Sequence, residues 1–114
     1  MLIYKIFRRD EWDSLVKRGE TKGAPIDLQD GFIHLSTGDQ VVETAQLHFS
    51  GASNLVLAAL DAGSLGLDLK WETSRGGALF PHLFRKMRLS DVVWSSDLPV
   101  VDGYHQFPEV AVPA

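Results

Sequence analysis

The sequence predicts a single-domain α+β protein, with a split mixed sheet of five to six strands and two helices in the N-terminal half. Two amphipathic helical stretches fall before residue 50, and strand-like stretches account for most of the rest. Helices segregated from strands indicate α+β rather than alternating α/β. The 114 residues suit one core, and no repeat, low-complexity tract or linker divides them.

Residues 2–7 alternate as a strand, with Leu2, Tyr4 and Ile6 on one side. Asp10 then caps a helix that has acids in its first turn and an apolar stripe of Trp12, Leu15 and Val16. Lys17 and Arg18 suit its C-terminus, and Gly19 ends it. Residues 23–30, with Pro25 and two acids, read as a loop. Asp30-Gly31 is a turn signal launching a second strand over residues 32–36. On that strand Ile33 and Leu35 point one way, and Phe32, His34 and Ser36 the other.

Thr37 with Gln40 forms a capping-box pattern, so a helix is expected over residues 38–49, burying Val41, Val42, Ala45 and Phe49. The apolar run 55–60 reads as a central strand. Residues 67–72 alternate, with Leu67, Leu69 and Trp71 on one face and Asp68, Lys70 and Glu72 on the other. After a loop over 73–77, residues 78–84 read as extended, and Pro81 argues for an edge or a bulge. Residues 92–94 read as the last clear strand, with its extension to Leu98 left open, and the tail from Pro99, with Gly103, Pro108 and Pro113, is expected to be mostly irregular.

Composition narrows the function classes. The chain has no cysteine, which excludes a thiolate nucleophile, disulfides and cysteine-based metal sites. A net charge of −4, from 11 basic and 15 acidic residues, disfavours duplex nucleic acid as the main partner. The first residues lack the basic and apolar regions of a signal peptide, and no apolar stretch reaches the roughly 18 residues of a membrane span. A cytoplasmic location is the expectation.

Two segments put polar chemistry where packing does not ask for it: residues 30–37 (DGFIHLST) and residues 71–83 (WETSRGGALFPHL). His34 reads either as a strand histidine satisfied by a backbone carbonyl or as a ligand group beside Ser36. The helix N-terminus at Thr37 would anchor an anion or a sugar hydroxyl. Trp71 reads most simply as core. Glu72, at a strand end, is either a solvated carboxylate paired with Lys70 or Arg75, or an acid reaching a cleft. Arg75 before Gly76-Gly77 is either a surface arginine in a tight turn or a grip for phosphate or carboxylate. Phe80, His82 and Phe84 share one side as stacking surface or core. Arg85, Lys86 and Arg88 make a small basic spot. His48 and His105 carry no local signal, and the four histidines lack metal-ligand spacing. A serine-hydrolase elbow is absent.

The two segments, with Tyr4-Lys5-Ile6, resemble a small bacterial family, domain of unknown function 952, from Tyr4 to about Phe107. The resemblance implies a fold similar to the ADP-ribosyltransferases, whose split mixed sheet holds NAD in a cleft. There a histidine followed two residues later by serine or threonine contacts the ribose of NAD, and His34 and Ser36 look like that pair. An aromatic surface stacks the nicotinamide, a part open to Phe80, His82 or Phe84, and a glutamate stabilises the oxocarbenium-like transition state. Glu72 is the acid in reach.

The expected function is binding of NAD or a related ribonucleotide, with ADP-ribosyl transfer or N-glycosidic hydrolysis, NAD being substrate. Glu72 would be catalytic, and His34, Ser36, Thr37, Trp71, Arg75, Phe80 and His82 would line the site. A catalytically silent binding or regulatory module is the alternative, and RNA 2′-phosphate chemistry the second.

Overall fold

The computed structural model describes residues 1–108. Strand β1 (Leu2–Arg8) alternates as expected, with Tyr4 and Ile6 in one core layer and Ile3 and Phe7 in another. Helix α1 (Arg9–Arg18) starts before the expected Asp10 cap, because Glu11 Oε1 accepts the Arg8 backbone N–H at 2.9 Å. Gly19 ends it at φ 80°, a left-handed conformation that costs glycine little.

After β2 (Glu20–Thr21), the expected loop contains a helix, α2 (Pro25–Asp30). Pro25 sits in its first turn, where a missing N–H costs nothing, and the Asp27 carboxylate accepts the Ala24 N–H at 2.8 Å. Six residues are too few for hydrophobic periodicity to reveal. The single strand expected over residues 32–36 is in fact two, β3 (Ile33–His34) and β4 (Ser36–Thr37), which lie in different sheets.

Helix α3 (Gly38–His48) starts where expected and ends one residue early: Thr37 caps it, with its N–H accepted by Gln40 Oε1 at 3.0 Å, Val41 and Ala45 are buried, and Val42 and Phe49 are only partly so. β5 (Leu55–Asp61) is the central strand, buried from residue 55 to 60. Two one-turn 3₁₀ helices follow, so β6 (Leu69–Thr73) begins later than expected and Leu67 is 97% exposed. Next come β7 (Leu79–Leu83), β8 (Met87–Arg88) and β9 (Val92–Leu98). The tail is less irregular than expected, since β10 (Val100–Val101) and β11 (Tyr104–His105) form a hairpin. Asp102 at φ 53° and Gly103 at φ 84° supply its two left-handed turn positions. The rest of that expectation, residues 109–114 with Pro113, lies outside the described residues.

The larger sheet has the order β4-β1-β5-β9, the smaller one β3-β7-β6, and β2 pairs with β8. Every pairing among the described residues is antiparallel, so the expected mixed sheet is corrected to two main antiparallel sheets and two two-stranded ones. Pro81 lies in the central strand of the smaller sheet, not at an edge. Its effect is local. Ile33 pairs with Leu83 and His34 with His82, and the next step sets Leu35 beside Pro81. There Leu35 N–H donates to Pro81 C=O at 3.1 Å. Proline cannot donate in return, so the ladder ends and the chain crosses to the larger sheet.

One core layer lies between the two sheets and α1, built from Ile3, Phe7, Leu15, Ile33, Leu60 and Leu83 among others. The second packs α3 on the other face of the larger sheet, through Tyr4, Ile6, Val41, Ala45 and Leu57. Leu83, paired with both Ile33 and Leu69, seats the smaller sheet on this core. Leu83→Ala is expected to cost about 2–5 kcal/mol in urea unfolding; a loss under about 1 kcal/mol would contradict that seating.

Candidate functional site

The smaller sheet has a core face and a polar face, set by register. Residues directly opposite in an antiparallel pair point to the same side. Ile33, Leu83 and Leu69 therefore share the core side. His34, His82 and Lys70 stand abreast on the other, with Phe80 opposite Glu72 beside them. Glu72 Oε1 lies 2.8 Å from His82 Nδ1. Phe32 stacks on His82 with ring centroids 4.1 Å apart and touches the His34 and Phe84 rings at 4.7 and 5.1 Å. His34 and His82 meet edge to face at 5.5 Å.

Arg75 closes the far end of this face. Its guanidinium sits 4.8 Å over the Phe80 ring and donates to Thr44 Oγ1 at 3.2 Å. The Thr44 hydroxyl donates to Gln40 C=O at 3.0 Å, so Ser36 is the donor in the 2.9 Å contact between the two hydroxyls. Gln40 also donates to Leu79 C=O at 2.8 Å, which ties the start of α3 to β7.

Behind His34 is a buried polar knot. The Asp27 carboxylate, fully enclosed, takes Lys5 Nζ at 2.7 Å and Ala24 N–H at 2.8 Å on one oxygen. On the other it takes His34 Nδ1 at 2.6 Å and His34 N–H at 3.1 Å. The second ring nitrogen of His34 lies 3.0 Å from Asp30 Oδ2. Burial is the largest single influence on Asp27 and pushes its pKa up. The His34 ring, the Lys5 charge and hydrogen bond, and the His34 N–H together outweigh it and bring the pKa from 3.8 down to about 2.

The expected site residues therefore divide. His34, Glu72, Phe80, His82 and Arg75 come together on one face. Ser36 lies in the other sheet, buried, with its hydroxyl held by Thr44, and Thr37 serves as the α3 cap. Trp71 is not core: it is 40% exposed and sits opposite Pro81, on the face away from Glu72 and His82. In the basic spot after β7, Arg85 is bidentate on Asp91 and Lys86 pairs with Glu20. Sequence reasoning assigned no role to Lys5 or Asp27. Two signals were available: a lysine between Ile3 and Phe7 on the inward face of a buried strand, and the Pro-x-Asp start of α2.

Two cavities lie apart from this face. One of about 330 Å³ lies between α3 and the C-terminal hairpin, lined by Val42, Ala45, Tyr104 and Phe107 among others. One of about 420 Å³ adjoins the start of α1, beside Arg8, Asp13 and Asn54. No group of three or more His, Asp or Glu among the described residues is placed to hold a metal. None of the described helices is long and apolar enough to cross a membrane.

Fold and site define a two-sheet antiparallel α+β domain with a histidine–carboxylate face. Residues 6–95 match the model of a protein family of unknown function, DUF952, and the chain belongs to that family. The crystal structure of protein CC0527 from Caulobacter crescentus is 53% identical, with a TM-score of 0.89 over 93% of this chain and 94% of that one. The solution NMR structure of CC0527 is 52% identical, with a TM-score of 0.82 over 91% and 90%. No curated protein matches the chain.

The knot makes two predictions. Gly23 has φ +108°, and a Cβ there would lie 2.5 Å from Asp27 Oδ2. Gly23→Ala is expected to lower stability by about 2 kcal/mol in urea unfolding, because Asp27 cannot move aside without loosening Lys5; a change within about 0.5 kcal/mol would show the knot to be yielding.

The low pKa of Asp27 in the folded protein stabilises the fold fully above its unfolded value of 3.8. That stability, about 2 kcal/mol, disappears as pH falls through about 2. The urea midpoint of the wild type is expected to drop between pH 5 and pH 2, and that of Asp27→Asn to drop less. Parallel profiles for the two proteins would remove Asp27 as the cause.

Proposed function

We propose that the outer face of the smaller sheet binds a ribonucleotide of the NAD type, on a fold of the ADP-ribosyltransferase class. The observation that carries this reading is the gathering of Glu72, His82, His34 and Arg75 on one aromatic-lined face. Arg75 donates to Thr44 and lies 4.0 Å from the Glu43 carboxylate through Nε, and its remaining N–H donors can grip a phosphate. Phe84, 38% exposed beside Phe32, offers a ring on which a base can stack. Glu72 holds His82 with one oxygen, and its side chain is 43% exposed. Its negative charge would stabilise an oxocarbenium-like ribosyl C1′, the centre of transfer or hydrolysis. Trp71 and the Ser36 hydroxyl take no part in this arrangement.

Isothermal titration with NAD, ADP-ribose and AMP tests the assignment. All three are expected to bind at millimolar concentration or below, and Arg75→Ala to weaken ADP-ribose by about tenfold or more, about 1.4 kcal/mol. No binding of any of the three, or equal binding by Arg75→Ala, would reject the site.

A further inference from the structure

The two histidines of the polar face are wired differently. His34 has a carboxylate oxygen beside each ring nitrogen, Asp27 Oδ1 2.6 Å from Nδ1 and Asp30 Oδ2 3.0 Å from Nε2. His82 has one. Its Nδ1 lies 2.8 Å from Glu72 Oε1, and a carboxylate can only accept, so Nδ1 carries the proton and donates it. In the neutral ring the lone pair is therefore on Nε2.

No hydrogen bond reaches that nitrogen among the described residues, although His82 is only 4% exposed. No buried side-chain nitrogen or oxygen among the described residues lacks a partner. Nε2 is then not fully enclosed by the protein. The ring plane is fixed as well, by Phe32 stacked at 4.1 Å with 22° between planes and by the edge contact with His34. In a histidine present only for packing, each buried ring nitrogen would be expected to meet a protein partner. One that is clamped, held in a single tautomer and left with a bare nitrogen has the form of a general base.

The geometry points to His82 Nε2 as the proton acceptor of this site, with Glu72 as its positioning residue. The substrate class rests on the NAD reading above. A water molecule gives a proton to Nε2 as its oxygen bonds to the ribosyl C1′. The C1′–N bond breaks with its electron pair going to the pyridinium nitrogen, and nicotinamide leaves neutral. NAD and water thus become ADP-ribose, nicotinamide and a proton, which His82 returns to solvent. The charged and titratable groups facing His82 are Glu72 and Lys70 from β6 and His34 from β3, with Asp27 and Asp30 of α2 behind His34.

Three measurements on the full chain test this. Long-range ¹H–¹⁵N spectra are expected to show His82 protonated on Nδ1, and Glu72→Ala to shift it toward the Nε2-protonated form. Diethyl pyrocarbonate, which acylates bare imidazole nitrogens, is expected to modify His82 in the native protein at least tenfold faster than His34. His82→Gln, with fold checked by circular dichroism, is expected to lower kcat for NAD hydrolysis by about 100-fold or more, with KM within about threefold.

An Nε2-protonated His82, or a His82 that reacts only after unfolding, overturns the inference. So does binding of NAD without hydrolysis, or hydrolysis at wild-type rate by His82→Gln. Absence of NAD binding in the titration removes the ribosyl step together with the nucleotide reading. In that case the spectra and the acylation decide for or against a bare Nε2 independently.

Discussion

The buried ion pair between Lys5 and Asp27 is the contact on which the rest of the site depends. Lys5 belongs to β1 of the larger sheet, and Asp27 to α2, which leads into the smaller one. Asp27 also holds the backbone N–H and the ring of His34, so a single carboxylate joins β1, α2 and β3. Taking two charges out of water is costly, and the cost is recovered only where every lone pair and proton finds a partner. Here each Asp27 oxygen has two donors. Removing one partner from such a pair typically costs about 3–5 kcal/mol, more than most single side chains contribute. The pair is a point of specification as well as of stability, because it fixes where β3 starts relative to β1.

That dependence explains what sequence reading reached and what it did not. Elements governed by their own pattern were legible: the alternation of β1, the apolar run of β5, and the Thr37–Gln40 start of α3. Elements governed by tertiary context were not. α2 is too short to show a period, and its identity lies in Pro25 and Asp27, residues that also suit a loop. The division of residues 32–36 between two sheets rests on Pro81, about 45 positions away. The hairpin at Asp102-Gly103 did carry a local signal, a dipeptide that readily supplies two left-handed positions, but it sits among prolines that suggest irregularity.

The candidate site shows the same division. Sequence spacing singled out His34 with Ser36 as a pair on one strand, and it is their chemistry that the structure turns inward. His34 is taken up by two aspartates and Ser36 by Thr44. Alternation did bring Phe80, His82 and Phe84 to one face, but it could not show that Glu72 reaches His82 diagonally across the ladder. Acid and histidine are ten positions apart with a turn between them, so their contact is a matter of register. Register in turn is set by which residues must be buried, here Leu69, Leu83 and Ile33.

Pro81 is what makes one strand serve two neighbours. By ending the β3 ladder it sends the chain to the larger sheet, where Ser36 pairs with Tyr4 and meets Thr44 on α3. Thr44 then accepts from Arg75, which lies over Phe80. Two residues along β7, His82 remains beside the short β3 and takes its ring partners from Phe32 and His34. Phe80, which carries Arg75 over its ring, and His82 thus occupy successive same-side positions of β7, a spacing of about 7 Å. The separation is enforced by the backbone, not by side-chain packing, and it leaves one group held by the larger sheet and the other by the smaller. A ligand spanning both ends would bridge the two sheets at the point where Pro81 parts them.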